Sequence, residues 1–198
     1  MPRVSDEHIA MRRDQILDAA HLCFSRKGFH QASMQDVIRE SGLSAGAIYS
    51  YFKSKNDIIA ALADRLAGSF DQLLGQISTE DPLPSLAEIM GRAAVAVVAQ
   101  AGPDGPARLA PHAWSAALAS PELAASIRGP MTNLRAILTG VAQRMKDDGR
   151  LPADADPAAV GATLLCLMPG FVIQYLILGD VDADTIQRGL RALFNPAQ

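Results

Sequence analysis

The sequence predicts an all-α chain of about nine helices, and three observations carry that prediction. Ala and Leu dominate a 198-residue composition in which 49% of residues are hydrophobic and only 5% aromatic, a balance that favours helix over sheet. Ser-x-x-Asp and Ser-x-x-Glu capping patterns stand before apolar stripes of helical spacing. No segment has the strict alternation of a half-buried strand, and there is no internal repeat or low-complexity tract.

Each helix can be justified in order. Ser5 opens the first, which runs to about Lys27 with Ile9, Ile16, Leu17, Ala20 and Phe24 on one face and Gly28 as the residue after its end. Ser33 to Asp36 is a capping box for a short helix to about Ser41. Gly42-Leu43-Ser44 is a tight turn, and Ser44 caps a third helix through about Tyr51. Ser54 to Asp57 starts a long helix with Ile59, Leu62, Leu66, Phe70, Leu73 and Ile77 aligned. Residues 80–84 break the chain, and Ser85 with Glu88 caps a helix bearing Ile89, Met90, Ala93, Val97 and Val98. A loop over 102–106 precedes a helix from Ala107 to Leu118. Ser120-Pro121 restarts a long helix to about Asp148, in which Gly129-Pro130 predicts a kink. Asp156-Pro157 is an N-cap and first-turn pair for an apolar helix ending at Gly179. A last helix carries Ile186, Leu190, Leu193 and Phe194.

Composition excludes several classes of function. The net charge is −3, so the chain as a whole is no basic nucleic-acid binder. The balance is uneven: residues 1–57 carry 8 Lys/Arg against 7 Asp/Glu, and residues 58–198 carry 10 against 14. A DNA-facing surface is therefore plausible only at the N-terminal end. Cys23 and Cys166 lack metal or disulfide spacing and are expected as buried, reduced thiols of a cytoplasmic protein. The polar N-terminus has no apolar signal core. Residues 157–179 hold no charged side chain, long enough for a membrane span. Gly161, Pro169, Gly170 and Gln174 interrupt that stretch and acidic residues flank it, which favours a helix buried in protein and no membrane.

Residues 33–55 carry the chemistry. Two short helices flank the Gly42 turn, with Val37, Leu43 and Ile48 spaced to pack between them, which is helix-turn-helix spacing. The first helix braces the second so that it protrudes and fits a major groove about 12 Å wide. Ala45, Gly46 and Ala47 keep its leading end slim.

These residues resemble the tetracycline-repressor (TetR) family of regulators. The resemblance rests on Ser33 with Asp36-Val37, on Gly42-Leu43-Ser44, Gly46, Ile48-Tyr49, Tyr51-Phe52, and on Ser54-Lys55 with Asp57-Ile58-Ile59. It extends back through Ile16 to Ala20, Phe24 and Gly28-Phe29, covering about the first 60 residues. Ile38 stands where the family usually has a small residue. The resemblance implies a DNA-binding domain over 1–53 and a helical regulatory and dimerisation domain over 54–198. Tyr49, Tyr51 and Lys55 resemble phosphate-contacting positions, with Ser33 and Gln35 at the start of the first helix. Ala45, Gly46 and Ala47 face the bases, and Ser44, Ser50 and Lys53 are candidates for polar contacts. Arg12 and Arg13 are candidates for backbone contact or plain surface charge.

A single short helix reads few bases, so such modules act as dimers on double-stranded DNA. The last two helices are the best dimer surface: the stretch 158–178 is too apolar to face water, and a second copy is expected to cover it through Leu164, Met168, Phe171, Tyr175, Leu190 and Phe194. The middle helices have an apolar lining of Met90, Val97, Trp114, Leu118, Met131, Leu134 and Leu138, with His112 as a polar handle. Gly and Pro interruptions there suggest a cavity for a small, mainly apolar effector, although plain core gives the same pattern. No cofactor or metal is expected, and no catalytic set, nucleotide loop or metal spacing stands in the sequence. The four histidines, His8, His21, His30 and His112, are scattered. An enzyme and a membrane-associated regulator are the rival classes.

Overall fold

A computed structural model describes residues 6–194, with the side chain of His30 set aside. The helix start expected at Ser5 lies outside the described residues. Among the described residues nine α-helices follow in order: α1 (Asp6–Gln31), α2 (Met34–Ser41), α3 (Ala45–Tyr51), α4 (Lys55–Ser78), α5 (Leu86–Ala99), α6 (Ala110–Ala119), α7 (Pro121–Asp147), α8 (Pro157–Ile177) and α9 (Ala183–Phe194). A 3-10 turn, Pro106–Leu109, leads into α6. No strand occurs among the described residues.

The chain forms two compact units. The first takes the residues up to Arg65 together with Pro103–Ile127, and the second takes Leu66–Gly102 together with the residues from Arg128 onward. Both α4 and α7 therefore begin in the first unit and finish in the second.

In the first unit, α1 buries Ile16, Leu17, Ala20 and Phe24. Gly28 breaks α1 at φ 74°, and one more turn follows rather than the helix ending there. That turn carries Phe29, whose ring meets Phe24 edge-on at 4.9 Å. On the other side Phe29 lies 5.8 Å from the His112 ring of α6. His21 of α1 is buried and its Nε2 bonds the Asp104 carbonyl.

In the second unit, Leu74 and Ile77 of α4 join Leu86, Ile89 and Met90 of α5 in one core with Leu138, Val141, Met145, Leu164 and Leu190. Arg144 and Arg150 tie down the loop between α4 and α5. Arg144 donates to the Ser78 and Glu80 carbonyls, and Arg150 to those of Leu83 (2.8 Å) and Pro84 (2.9 Å). These bonds satisfy loop carbonyls that no helix provides for. Gly161 permits a close approach of α8 to α7, because a Cβ there would lie 2.7 Å from the Thr139 backbone nitrogen.

α7 runs from Pro121 to Asp147 with Pro130 inside it. Proline costs it the bond to the Ser126 carbonyl, next to where α7 passes between units. Two expectations need correction. Cys166 is exposed, not buried; only Cys23 is covered, and burial pushes its thiol pKa up. Leu164, Phe171 and Leu190 are buried within the chain. The apolar side chains that α8 and α9 leave outside are Ile173, Ile177, Leu193 and Phe194, with Leu178 just beyond α8. Because α8 is apolar on every side, composition does not say which face turns inward. By length and composition α8 could also cross a membrane, a property that soluble core helices share.

Candidate nucleic-acid interface

The helix-turn-helix is built from its caps inward. Ser33 Oγ accepts the Asp36 N–H while Asp36 Oδ2 accepts the Ser33 N–H at 3.0 Å, the reciprocal pair that the sequence predicts. Lys27 of α1 donates to Asp36 Oδ1 at 2.6 Å. The Lys27 ammonium and then the Ser33 donors hold the Asp36 carboxyl well below the usual carboxylate range. Arg26 pairs with Glu40 at 3.3 Å, so α1 and α2 are linked by two ion pairs.

The turn between α2 and α3 closes on Gly42, at φ 68°, a left-handed position that glycine occupies without strain. Ser41 Oγ donates to the Ile38 carbonyl and accepts from the Leu43 N–H, and Gln15 of α1 donates to the Ser41 carbonyl at 3.0 Å. The polar groups at the end of α2 are thus met by side chains rather than left open. Val37 and Ile48 are fully buried, whereas Ile38 is half-buried. The larger residue at position 38 is accommodated by standing partly outside the packed layer.

Ser44 caps α3, accepting from the Ala47 N–H at 3.2 Å. Ile48 and Phe52 turn inward, with the Arg13 guanidinium 5.6 Å from the Phe52 ring centre. Ser44, Ala45, Gly46, Tyr49, Ser50 and Lys53 are exposed, and Ala47 and Tyr51 half-buried. Ser33 and Gln35 are exposed at the start of α2. The structure thus brings the sequence-predicted DNA residues onto the α2–α3 pair and the turn after it, with Lys55 opening α4.

Several of them are already engaged. Ser50 Oγ donates to the Ala47 carbonyl at 2.6 Å, and Lys53 Nζ to the Tyr49 carbonyl at 2.9 Å. Lys55 Nζ donates to the carbonyls of Phe29 (2.6 Å) and Ala32 (3.2 Å), clamping the end of α1 to the start of α4. Asp57 Oδ2 accepts the N–H groups of Lys53 and Ser54 and so completes the cap of α4. The bracing roles of Gln15 and Lys27 escape the sequence reading of the interface, whereas Asp57 caps α4 as the Ser54 to Asp57 pattern predicts. The one signal for Lys27 was a cation at the end of α1 facing an acidic residue in the first turn of α2.

The expected effector lining divides between the units. Met90, Val97, Met131, Leu134 and Leu138 belong to the second, His112, Trp114 and Leu118 to the first. Met90, Val97 and Leu138 are packed core, and Met131 and Leu134 are half-buried. His112 is exposed, and Leu118, at 92% exposure, lines nothing: it sits at the last turn of α6, where the chain reverses into α7. No group of three or more metal-ligating side chains occurs among the described residues.

Comparison with known proteins matches this architecture. The family described as bacterial regulatory proteins, tetR family, matches residues 16–62, and the BetI-type transcriptional repressor C-terminal family matches residues 90–195. The HTH-type transcriptional repressor Rv1474c of Mycobacterium tuberculosis is 43% identical over 63 residues, 32% of this chain and 34% of that protein. YfiR of Bacillus subtilis is 41% identical over 63 residues, and the match again spans about a third of each protein (32% and 31%). The transcriptional regulator UidR of Escherichia coli K12 is 28% identical over 192 residues, 91% of this chain and 90% of that one. Among solved structures, Salmonella enterica GusR superposes with a TM-score of 0.74 at 22% identity, covering 98% of this chain and 100% of its own. FadR from Bacillus subtilis, in complex with stearoyl-CoA, gives 0.73 at 20% identity, covering 91% and 96%. The shorter family match falls on the helix-turn-helix and the longer on more than half of the 198 residues: this protein belongs to the tetR family of bacterial regulators and is a DNA-binding transcriptional regulator.

Proposed function

We propose that the protein is a cytoplasmic repressor that binds a palindromic operator as a homodimer and leaves it when a small, mainly apolar molecule binds the regulatory helices. The observation that carries this reading is α3. Its leading residues are small and exposed while Ile48 behind them is fully buried, so the helix is braced yet slim enough to enter a major groove.

Pairing through α8 and α9 is supported by Ile173, Ile177, Leu178, Leu193 and Phe194, which leave a large apolar surface uncovered in the single chain. Met168 and Tyr175 are half-buried, Met168 packed against the core and Tyr175 against the Phe171 ring, so the exposed side chains carry this reading rather than these two. The effector class is supported by the complex of the structurally similar FadR with stearoyl-CoA. α4 is the natural transmitter, because its first turn is clamped to α1 by Lys55 and its last turns lie in the second unit's core. An effector that favours one α4 position by a few kcal/mol suffices to shift the two DNA heads out of register.

Selection of bound duplexes from a random pool by the purified chain tests this. A palindrome with half-sites about one helical turn apart is the expected product. No preference over bulk DNA, or a single unrepeated half-site, would sink the dimeric reading. Thermal-shift screening with fatty acids and other apolar metabolites tests the effector, and no stabilising compound would remove it.

A further inference from the structure

The helix that faces the bases carries no side chain that reads bases by paired hydrogen bonds. From Ala45 to Tyr51 there is no Arg, Lys, Asn, Gln, Asp or Glu, the side chains that recognise guanine, adenine or cytosine edges. The Ser44, Ser50 and Lys53 side chains, on and beside the helix, each make one bond within the protein. Ser44 Oγ accepts from Ala47, Ser50 Oγ donates to Ala47, and Lys53 Nζ donates to Tyr49. Ser50 has a single O–H and must give up that bond before it can donate to a base. Ser44, an acceptor here, keeps its hydroxyl hydrogen and Lys53 keeps two N–H groups; both flank α3 rather than stand on it. Tyr49 and Tyr51 bring one hydroxyl each, which suits a phosphate oxygen rather than a base pattern.

Gly46 is a second, independent observation. It lies inside a helix with no positive φ, and a Cβ added there would meet nothing within 4 Å. Nothing in the protein requires glycine at this position, and glycine is a poorer helix former than alanine. The missing side chain leaves room on the exposed face of α3, beside Ala45 and Ala47.

We propose that the protein reads its operator through thymine C5 methyl groups packed on Ala45, Gly46 and Ala47, with Gly46 as the slot for one of them. The proposal rests on the reading of α3 as the base-facing helix. Methyl contact is the one feature of the major groove that an apolar surface distinguishes, since only thymine presents it among the four unmodified bases.

The experiment uses the full chain and the duplex selected from the random pool, with each thymine of a half-site replaced in turn by deoxyuridine. One or two positions per half-site should weaken binding about fourfold per methyl removed, and about fifteenfold when the symmetry-related thymine is replaced too. Gly46→Ala should raise the unfolding temperature by about 1–3 °C yet weaken operator binding about tenfold or more, with binding to unrelated DNA unchanged. Ser50→Ala and Lys53→Met should select the same sequence as the parent. Specific binding with no deoxyuridine-sensitive position would overturn the proposal, as would a changed preference in Ser50→Ala or Lys53→Met, or full operator affinity in Gly46→Ala. A selection that returns no preferred duplex removes the base-facing reading and this inference together, a result distinct from specific binding without methyl dependence.

Discussion

Lys55 separates two roles that the sequence alone leaves merged, phosphate contact and structural clamp. Its ammonium donates to the Phe29 and Ala32 carbonyls at 2.6 and 3.2 Å, beyond the break in α1 at Gly28. Lys55→Met keeps most of the apolar stem and removes both bonds. A hydrogen bond from a charged group contributes about 1.5–3 kcal/mol. The side chain is only half-buried, and solvent screening and replacement by water bring the pair down to about 2 kcal/mol in all. For a chain of this size that corresponds to a fall of about 4–8 °C in unfolding temperature, readable by circular dichroism. One N–H of the ammonium remains for a phosphate, so the slope of log affinity against log salt should fall by about one per half-site. An unchanged unfolding temperature would refute the clamp, whatever happens to the slope.

Two further outcomes follow from the packing and the caps. Gly161→Ala places a Cβ 2.4 Å from Thr139 Oγ1 and 2.8 Å from its Cα, where backbone cannot yield without parting α7 from α8. It should destabilise by about 1–3 kcal/mol in chemical denaturation, whereas Gly140→Ala, with nothing within 4 Å, should be neutral or stabilising by about 0.5–1 kcal/mol. For Asp36, the folded pKa is depressed, so its stabilisation is present above the ordinary value of 3.8 and is lost as pH falls below it toward the folded value. Asp36→Asn should therefore unfold at a lower temperature than the parent at pH 6, with the two converging below about pH 4; a gap that stays constant down to pH 2 would show that ionisation of Asp36 contributes nothing.

Local rules made much of the fold legible. Ser33 with Asp36, Ser85 with Glu88, Asp156-Pro157 and Gly42 each act within four residues, and each was readable as a cap or turn before any tertiary contact was known. The missed features depend on partners distant in sequence or on helix rotation. Nothing near Lys55 says that its ammonium will reach carbonyls 23 and 26 residues earlier. The apolar surround of α8 hides which face turns inward, and so Leu164 and Phe171 were assigned to the wrong side. Leu118 read as lining because it follows helical spacing, yet it sits where α6 ends and is bare. The division between Arg65 and Leu66 within α4 leaves no mark in composition, because the helix continues through it.

The same contacts explain how a nearly neutral N-terminal segment can serve as a DNA head. Arg26, Lys27 and Arg39 face acidic partners on α2, Lys53 and Lys55 bond backbone carbonyls, and Arg13 lies over Phe52. Cations used in this way hold the helices in place more than they project a diffuse positive field. Exposed ion pairs of this kind are individually weak, so their value here is geometric: they fix α1 against α2, and α4 against the end of α1, while α3 is left with small side chains outward. On the proposed docking, affinity would then come from close fit at α3 and from phosphates met by helix starts and tyrosines rather than from a basic patch. A head that depends on fit is more sensitive to displacement than one held by charge alone, because van der Waals contact falls off over about an ångström whereas a screened charge acts over about 8 Å. On the proposed function, a small movement of α4, to which Lys55 fastens the head, would therefore suffice to release it.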